Sequence, residues 1–259
     1  MRIVVAGGTG FIGRYVCREL SSRGHELFIL SRCVGPVDGA ARIQWDPAQL
    51  GLWAGAIGRA DAVINLAGES IADGRWSEAR KQAILTSRIS VTRAIVSGLG
   101  KLHNKPSVLI NASAIGYYGL HDDEDLDEES PNGSDFLAEV CRDWEKECVD
   151  AEKLGVRTVR LRLGIVLGQG GGAMAKMFLP FKLGLGGPLG SGRQWMSWVH
   201  IQDVVGLVLF ILSNAQAVGA INATSPNPVT NAEFSKTLGA VLHRPAFLPM
   251  PTFALRLAL

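Results

Sequence analysis

The sequence is poor in the features that mark several large classes of protein. Its four cysteines, at positions 17, 33, 141 and 148, include no Cys-x-x-Cys pair, which argues against a disulfide framework and favours a reducing compartment. Its 26 basic and 24 acidic residues leave a net charge of +2 with no basic cluster, so nothing indicates nucleic-acid binding. No apolar run reaches membrane-spanning length, and residues 204–212 predict a core helix instead. A small-molecule partner is therefore expected, and the sequence predicts no membrane partner and no oligomeric state.

The two ends of the chain carry separate expectations. The first apolar run begins at residue 2, which leaves no room for a signal or transit peptide and predicts a cytoplasmic protein. Residues 253–259 stop in the middle of an apolar helical pattern that has no cap. We therefore expect the native chain to continue beyond Leu259.

A glycine-rich turn near the start of the chain carries the strongest functional signal. A β-branched run at residues 3–5 enters glycines at positions 7, 10 and 13, and a helical pattern follows at once. Strand, glycine turn and helix form the phosphate-binding opening of a nucleotide-binding βαβ unit, whose helix N-terminus offers unpaired N–H groups to a pyrophosphate. The residues assigned to this contact are Gly7, Gly10, Phe11, Ile12 and Gly13.

The rest of the chain alternates between strand and helix patterns. Strands are predicted at 2–6, 26–31, 62–66, 107–112 and 157–163, with helices near 11–23, 77–99 and 134–154. Such alternation predicts an α/β protein with a Rossmann-type, doubly wound parallel sheet. After residue 164 the sequence becomes rich in glycine, and 168–193 is interpreted as a mobile substrate cover. We expect a nucleotide-binding domain at 1–164 and a small substrate-side lobe at 165–259, interleaved with the main sheet.

The end of the second strand predicts which dinucleotide is bound. NAD-binding units place an Asp or Glu there to hold the ribose 2′-hydroxyl, whereas this chain has Ser31 followed by Arg32. An arginine suits the 2′-phosphate of NADP(H) through a charge-assisted hydrogen bond. The sequence therefore predicts NADP(H), with an exposed arginine at a strand end as the alternative interpretation.

Small residues end the next apolar strand. The string Asn65-Leu-Ala-Gly68 would let the backbone approach a ribose or nicotinamide closely, and the alternative is an ordinary strand-to-helix turn. Three further strings in the chain are Asn111-Ala-Ser113-Ala-Ile-Gly-Tyr-Tyr-Gly119, Arg162-x-Gly164-x-Val166 and Trp198-Val-His-Ile-Gln-Asp203. With the glycine turn they resemble the extended short-chain dehydrogenase/reductase family, the nucleotide-sugar epimerase group. Pro180-Phe-Lys-Leu-Gly-Leu-Gly-Gly-Pro188 resembles its atypical "epimerase family protein" branch, also labelled cell-division-inhibitor-like.

The resemblance implies further contacts. It places Leu66, Ala67 and Gly68 beside the cofactor, brings Arg88 toward it, and packs Val166 near the nicotinamide. The alternatives are a core position for Val166 and a surface ion pair for Arg88. It also implies that Tyr118 contacts substrate, while Arg193 suits a substrate anion.

The same resemblance exposes a departure in the catalytic residues. Family members use a serine, and a tyrosine with a lysine four residues later whose charge favours the tyrosinate. Ser113 fits the serine, but Phe136 and Val140 occupy the tyrosine and lysine positions. Tyr117 is the candidate substitute acid.

The remaining signals are weaker. Residues 122–129 hold seven carboxylates but lack metal-site spacing, so a solvated loop and no metal are expected. Two functions follow: an NADP(H)-dependent oxidoreductase or epimerase on an unknown carbonyl or nucleotide-sugar substrate, or an NADP(H)-binding sensor or assembly protein without catalysis.

Overall fold

The computed structural model describes residues 1–248 except positions 34, 36, 38 and 50, and it contains a seven-stranded parallel sheet. The strands are β1 (Arg2–Ala6), β2 (Glu26–Ser31), β3 (Ala41–Gln44), β4 (Ala62–Asn65), β5 (Val108–Ala114), β6 (Arg157–Leu163), β7 (Ile165–Leu167), β8 (Trp195–Met196), β9 (Trp198–His200), β10 (Gly219–Ala223) and β11 (Val229–Thr230). The order across the sheet is β10-β6-β5-β4-β1-β2-β3. The predicted doubly wound parallel sheet is therefore confirmed.

Helices cover both faces of this sheet. They are α1 (Phe11–Ser22), α2 (Leu52–Ile57), α3 (Glu78–Gly100), α4 (Phe136–Val149), α5 (Gly172–Lys182), α6 (Ile201–Ser213) and α7 (Asn231–Val241). One apolar core lies between the sheet and α2 and α3, and another lies between the sheet and α1 and α6. A strand buried on both faces has no polar side to show, which explains the near-continuous apolar runs. Among the described residues, no helix combines the length and apolar character that crossing a bilayer requires.

The second part of the chain completes the sheet as well as forming a lobe. Strand β10 pairs in parallel with β6, and α6 packs beside α1. Two small sheets, β7 with β9 and β8 with β11, pair strands of the lobe with one another. Residues 249–259 lie outside the described residues, and with them the expectation about the end of the chain.

The interpretation of 168–193 as a mobile cover was wrong for its middle part. Helix α5 occupies Gly172–Lys182, and Pro180 lies inside it. Glycines at both ends of this stretch indicated a loop, so the helix was not predicted. The residues between the glycines include good helix formers such as alanine and methionine, which explains why a helix forms there. The lobe thus presents a helix beside a short glycine segment.

The glycine turn is so closely packed that side chains would not fit at two of its positions. A Cβ on Gly7 would lie 2.6 Å from the carbonyl carbon of Leu66, and Gly7 has a φ of 79°. A Cβ on Gly13 would lie only 2.2 Å from the carbonyl oxygen of Gly7. The sequence placed Gly7 in a tight turn, and it also packs on the chain after β4. Gly13 lets α1 pack against the turn itself.

Replacing Gly13 by alanine tests this close approach. We expect Gly13→Ala to lower the free energy of unfolding by about 3 kcal/mol, since an added methyl in a filled site costs about 1–3 kcal/mol and the obstacle here is backbone. Gly206→Ala, in the middle of α6 where a Cβ meets nothing within 4 Å, is the matched control. It should raise stability by roughly 0.5–1 kcal/mol. Urea unfolding of both variants measures the difference, and equal stabilities would contradict the packing argument.

Candidate functional site

Three loops meet at the carboxyl edge of the sheet around β1. The glycine turn follows β1, the Ser31–Arg32 segment follows β2, and the Asn65–Gly68 turn follows β4, and both β2 and β4 pair with β1. Gly10 caps α1 without any side-chain hydrogen bond, and its N–H donates to the Gly7 carbonyl at 3.0 Å. The first N–H groups of the helix, at Phe11 and Ile12, have no partner within the helix. The edge therefore presents an anion-binding helix start between two loops.

The Ser31–Arg32 segment leaves its arginine available. The Arg32 side chain is 79% exposed, and one of its guanidinium nitrogens lies 3.9 Å from a carboxylate oxygen of Glu69. The Ser31 hydroxyl accepts a hydrogen bond from the Cys33 N–H at 3.2 Å, which fixes the turn after β2. The expected 2′-phosphate ligands therefore lie on one side of the glycine turn.

Buried amides hold the turn on the other side. The Asn65 side-chain amide donates to Asn111 at 2.7 Å and to Thr92 at 2.9 Å, while its carbonyl oxygen accepts from the Ala67 N–H. Trp144 donates its indole N–H to the same Thr92 hydroxyl. Leu66 and Ala67 are half-buried, and the backbone of Leu66 packs against Gly7. This network positions the backbone that sequence reasoning assigned to the cofactor.

Arg88 supports the same turn from helix α3. Its guanidinium donates to the carbonyls of Ile84 and Glu69, both at 3.0 Å, and lies 5.2 Å from the Trp144 ring. A Cβ on Gly68 would lie 3.2 Å from the Arg88 guanidinium carbon. Burial lowers the pKa of Arg88 from its ordinary value. Arg88 is therefore not a surface ion-pair partner, since its guanidinium supports the backbone of Gly68 and Glu69. Its contact with the cofactor stays a prediction.

The lobe reaches the glycine turn through a segment defined here as the glycine segment, residues 168–172. Cβ atoms on its members Gly168, Gly171 and Gly172 would lie about 3 Å or less from the Phe11 ring. Arg14 and Tyr15 on α1 donate to the carbonyls of residues 170 and 169. Val166, half-buried in β7, lies two residues before this segment. The predicted nicotinamide neighbour is thus close in sequence to the contact between the lobe and α1.

On its lobe side the glycine segment borders an apolar cavity of about 570 Å³. Helices α5 and α7 form the walls, with Met174, Phe178 and Phe234 among the lining side chains. His200 also lines it, and its ring accepts from the Gln202 N–H as the cap of α6. An apolar lining of this kind accommodates apolar groups and does not suit a diphosphate.

Ser113 lies in a buried charged network behind the edge. Its hydroxyl donates to Glu145 at 2.6 Å, and Arg162 forms two hydrogen bonds with the same carboxylate, at 2.9 and 3.0 Å. Arg162 also donates to the Tyr118 hydroxyl, which donates in turn to Asn222 at 2.6 Å. All the side chains that meet Arg162 here are at least partly buried. Ser113 therefore needs to exchange Glu145 for a substrate carbonyl before it can act as the resemblance implies.

Tyr118 faces this network and not a cleft. The residue is 3% exposed, and burial raises the pKa of its hydroxyl despite the hydrogen bond from Arg162. The resemblance implied a substrate contact for Tyr118. In the structure its hydroxyl is already bonded to Arg162 and Asn222, so a substrate would have to displace one of them.

Tyr117 is placed differently from its neighbour. It is half-buried in a 3-10 turn at Ile115–Tyr118, and the centre of its ring lies 3.5 Å from the Arg162 guanidinium carbon. Asn132 donates to its backbone carbonyl, which fixes the turn. The ring of this candidate acid therefore lies against the positive charge of Arg162, which is distant from Tyr117 in the sequence.

The positions that the family reserves for the tyrosine and lysine carry apolar contacts. Phe136 begins α4 and packs edge-on against Trp76, with ring centroids 5.7 Å apart, while the Lys81 ammonium lies 5.8 Å from the Phe136 ring. Val140 is buried. Neither side chain can transfer a proton, so the departure seen in the sequence holds in the structure.

The other predicted positions have simpler surroundings. Arg193 is exposed, and its backbone N–H donates to the Ser191 hydroxyl. All seven acidic residues of the run 122–129 are exposed, and two of them also accept hydrogen bonds, Asp123 from Trp195 and Glu128 from the Asn222 N–H. Over the described part of the chain, no group of three or more His, Cys, Asp or Glu side chains could hold a metal ion. The exposure of these seven residues confirms the predicted solvated loop.

Sequence reasoning missed the charges that organise this edge. Glu145 and Arg162 were not singled out as partners, because they lie on different elements and each resembles an exposed residue of its own element. A signal was present for the amides, since Asn65 and Asn111 each lie near the end of a neighbouring apolar strand and are paired in register. Polar side chains at two adjacent strand ends indicate a shared network.

Replacing Glu145 by glutamine tests the buried network. We expect Glu145→Gln to lower the free energy of unfolding by about 3–5 kcal/mol, because Arg162 then keeps a buried charge without its carboxylate. Glu147→Gln, two residues along the same helix, removes the more exposed ion pair with Arg93 and should cost less than about 1 kcal/mol. Urea unfolding compares the two, and similar losses would show that burial of the Glu145 pair is unimportant.

Comparisons with known proteins agree with this geometry. The sequence profile of the NAD dependent epimerase/dehydratase family matches residues 3–223. The chain is 40% identical over 258 residues to the human epimerase family protein SDR39U1, a match that spans 97% of this chain and 84% of the human protein. It is 41% identical over 267 residues to the epimerase family protein YfhF of Bacillus subtilis, covering 100% of this chain and 86% of that protein.

Solved structures show the same fold. The crystal structure of human SDR39U1 (isoform 2) with NADPH matches with a TM-score of 0.87 and 36% identity, covering 100% of this chain and 85% of that chain. The UDP-glucuronic acid 4-epimerase of Bacillus cereus, solved with UDP-glucuronic acid and NAD, matches with a TM-score of 0.82 at 19% identity, covering 96% of this chain and 85% of that chain, which supports the fold alone. The resemblance to the atypical extended epimerase branch is confirmed, and the chain belongs to the NAD dependent epimerase/dehydratase family.

Proposed function

We propose that this protein binds NADP(H) at the carboxyl edge of its sheet and uses it as an oxidoreductase or epimerase on a small carbonyl or nucleotide-sugar substrate. One observation carries the cofactor assignment: the closely packed glycine turn at the start of α1 lies next to an exposed arginine after β2. A helix start with free N–H groups fits the pyrophosphate. The NADPH in the structure of human SDR39U1 supports the same choice. We also propose that the protein is located in the cytoplasm.

Arg32 gives the proposal its selectivity for the phosphorylated cofactor. Its guanidinium is exposed and reaches over the edge beside Ser31, where the adenosine ribose of a dinucleotide on the glycine turn would lie. A hydrogen bond between charged groups contributes about 1.5–3 kcal/mol, which corresponds to roughly 10- to 100-fold in affinity. Leu66, Ala67 and Gly68 would then line the other side of the cofactor.

The chemistry of the proposal needs a proton donor. When a carbonyl is reduced, NADPH supplies the hydride to the carbon, and a protein group or water supplies the proton to the oxygen. Tyr117 is the candidate because Phe136 offers no hydroxyl and the Tyr118 hydroxyl is bonded within the protein. The guanidinium of Arg162 lies against the Tyr117 ring and places a positive charge beside the candidate acid.

A second function is favoured by a specific observation. Ser113 and Tyr118 are both engaged by Glu145 and Arg162, and Phe136 and Val140 replace the proton-transfer pair. A protein with a preserved cofactor cradle and an engaged catalytic serine fits an NADP(H)-binding sensor or assembly protein. The two functions differ in whether bound NADPH is consumed.

The cofactor assignment predicts the behaviour of an arginine variant. We expect Arg32→Ala to weaken NADPH binding by about 10- to 100-fold while changing NADH binding less than about twofold, because only NADPH carries the 2′-phosphate. Arg23→Ala removes an exposed arginine paired with Glu19 at the far end of α1, and serves as the control for lost charge. Calorimetric titration with both cofactors measures the change. An unchanged ratio of the two affinities in Arg32→Ala would rule out the assignment.

The catalytic assignment predicts the behaviour of a tyrosine variant. The protein is mixed with NADPH and a panel of carbonyl compounds and nucleotide sugars, and absorbance reports cofactor consumption. With a substrate found in this way, we expect Tyr117→Phe to lower kcat by about 10²- to 10⁴-fold, the usual contribution of a general acid, with NADPH affinity unchanged. Full turnover by the variant would exclude Tyr117. Tight NADPH binding with no consumption across the panel would instead favour the sensor.

A further inference from the structure

Glu69 lies directly across the proposed cofactor cleft from the 2′-phosphate ligand. We propose that its carboxylate competes with the 2′-phosphate of NADP(H) for Arg32, and thereby sets how strongly the protein prefers NADP(H) to NAD(H). The inference rests on the proposed function, since it concerns the same 2′-phosphate contact. It names a residue on the opposite side of the cleft, directly after the Asn65–Gly68 turn.

The topology brings the two side chains together. Strands β2 and β4 pair with opposite sides of β1, so the residues that follow them leave the sheet on either side of the glycine turn. One guanidinium nitrogen of Arg32 nevertheless lies 3.9 Å from a carboxylate oxygen of Glu69. This ion pair therefore spans the edge of the sheet above the end of β1, where a dinucleotide bound to the glycine turn would pass.

Glu69 is fixed in this position by helix α3. Its N–H donates to the Ser87 hydroxyl at 3.0 Å, and its carbonyl accepts from Arg88 at 3.0 Å. Its other carboxylate oxygen lies 3.5 Å from Arg80, whose guanidinium also donates to the Ser70 carbonyl. Backbone and carboxylate are both held, so Glu69 cannot follow Arg32 if that side chain turns toward a ligand.

Arg32 is the movable member of the group. Its side chain is 79% exposed, whereas that of Arg80 is 20% exposed and that of Glu69 is 38% exposed. When Arg32 turns to a phosphate, Glu69 keeps Arg80 as its counter-charge and is not left unpaired. The exchange of a carboxylate for a phosphate on Arg32 therefore costs little beyond the ion pair itself.

The two cofactors differ in whether this exchange occurs. NADPH must take Arg32 from Glu69, whereas NADH has no 2′-phosphate and leaves the ion pair in place. Exposed ion pairs contribute up to about 1 kcal/mol, which corresponds to a factor of about five in affinity. Glu69 should therefore weaken NADPH binding by up to about fivefold and leave NADH binding nearly unchanged.

A charge-removing variant tests the competition. We expect Glu69→Gln to strengthen NADPH binding by about two- to fivefold, with NADH binding changed less than about 1.5-fold. Glu78→Gln is the matched control, because it removes an 89% exposed carboxylate paired with Lys81 and changes the net charge equally. In an Arg32→Ala background the effect of Glu69→Gln on NADPH should disappear. Calorimetric titration measures the unaltered protein, the two single glutamine variants, Arg32→Ala and the double variant, and circular dichroism confirms that each is folded.

The outcomes separate this inference from the proposed function. If the unaltered protein bound NADPH no more tightly than NADH, the 2′-phosphate assignment would fail and the competition with it. If NADPH were preferred but Glu69→Gln matched Glu78→Gln or weakened NADPH binding, Glu69 would not compete for Arg32. An effect that persisted without Arg32 would also overturn the proposal. If Glu69→Gln failed to fold because Arg80 lost its partner, Glu69→Asp, which shortens the reach to Arg32, should show the same increase for NADPH.

Discussion

The candidate site depends on one steric constraint, the contact between the glycine turn and the chain that follows β4. Gly7 touches the backbone of Leu66, and the carbonyl of Gly7 in turn leaves no room for a side chain at Gly13. Because these contacts are made by backbone atoms, no neighbouring side chain can relax to make space. The start of α1 and the Asn65–Gly68 turn are thereby held at a fixed separation. The proposed dinucleotide would contact both, so its binding geometry depends on the absence of side chains at Gly7 and Gly13.

Behind this edge a buried ion pair, Glu145 with Arg162, lies beside Ser113, the residue that the family resemblance assigns to catalysis. Helix α4 carries Phe136 and Val140 toward the site, but the same helix contributes Glu145 to the pair with Arg162 on β6. A buried carboxylate needs a partner with good geometry, and the two hydrogen bonds from Arg162 provide it. The cost is that Ser113 becomes a donor to Glu145. The guanidinium that lies against the Tyr117 ring therefore comes from β6, whereas α4 contributes the carboxylate that pairs with it.

Sequence patterns predicted the framework better than the site. Strands β1, β2 and β6 have the predicted bounds, because a strand buried on both faces shows an apolar run whatever its surroundings. The glycine turn was recognised because backbone conformation restricts the residue type locally. Helix α5 was missed, since the glycines that flank it dominate the composition of the whole stretch 168–193. The partnership of Glu145 with Arg162, and the reach of Glu69 to Arg32, depend on which elements become neighbours, and no local pattern records that.

The lobe contacts the candidate cofactor site through the glycine segment, which packs on the first turns of α1. Phe11 fills the space that side chains at Gly168, Gly171 and Gly172 would need, and Arg14 and Tyr15 donate to carbonyls of the same segment. All three α1 residues lie in the first turns of the helix that would hold the pyrophosphate. A shift of the glycine segment must therefore move the helix start or break these hydrogen bonds. Helix α5 and the apolar cavity lie on the other side of that segment, so the side chains of Phe11, Arg14 and Tyr15 connect the start of α1 to a wall of the cavity.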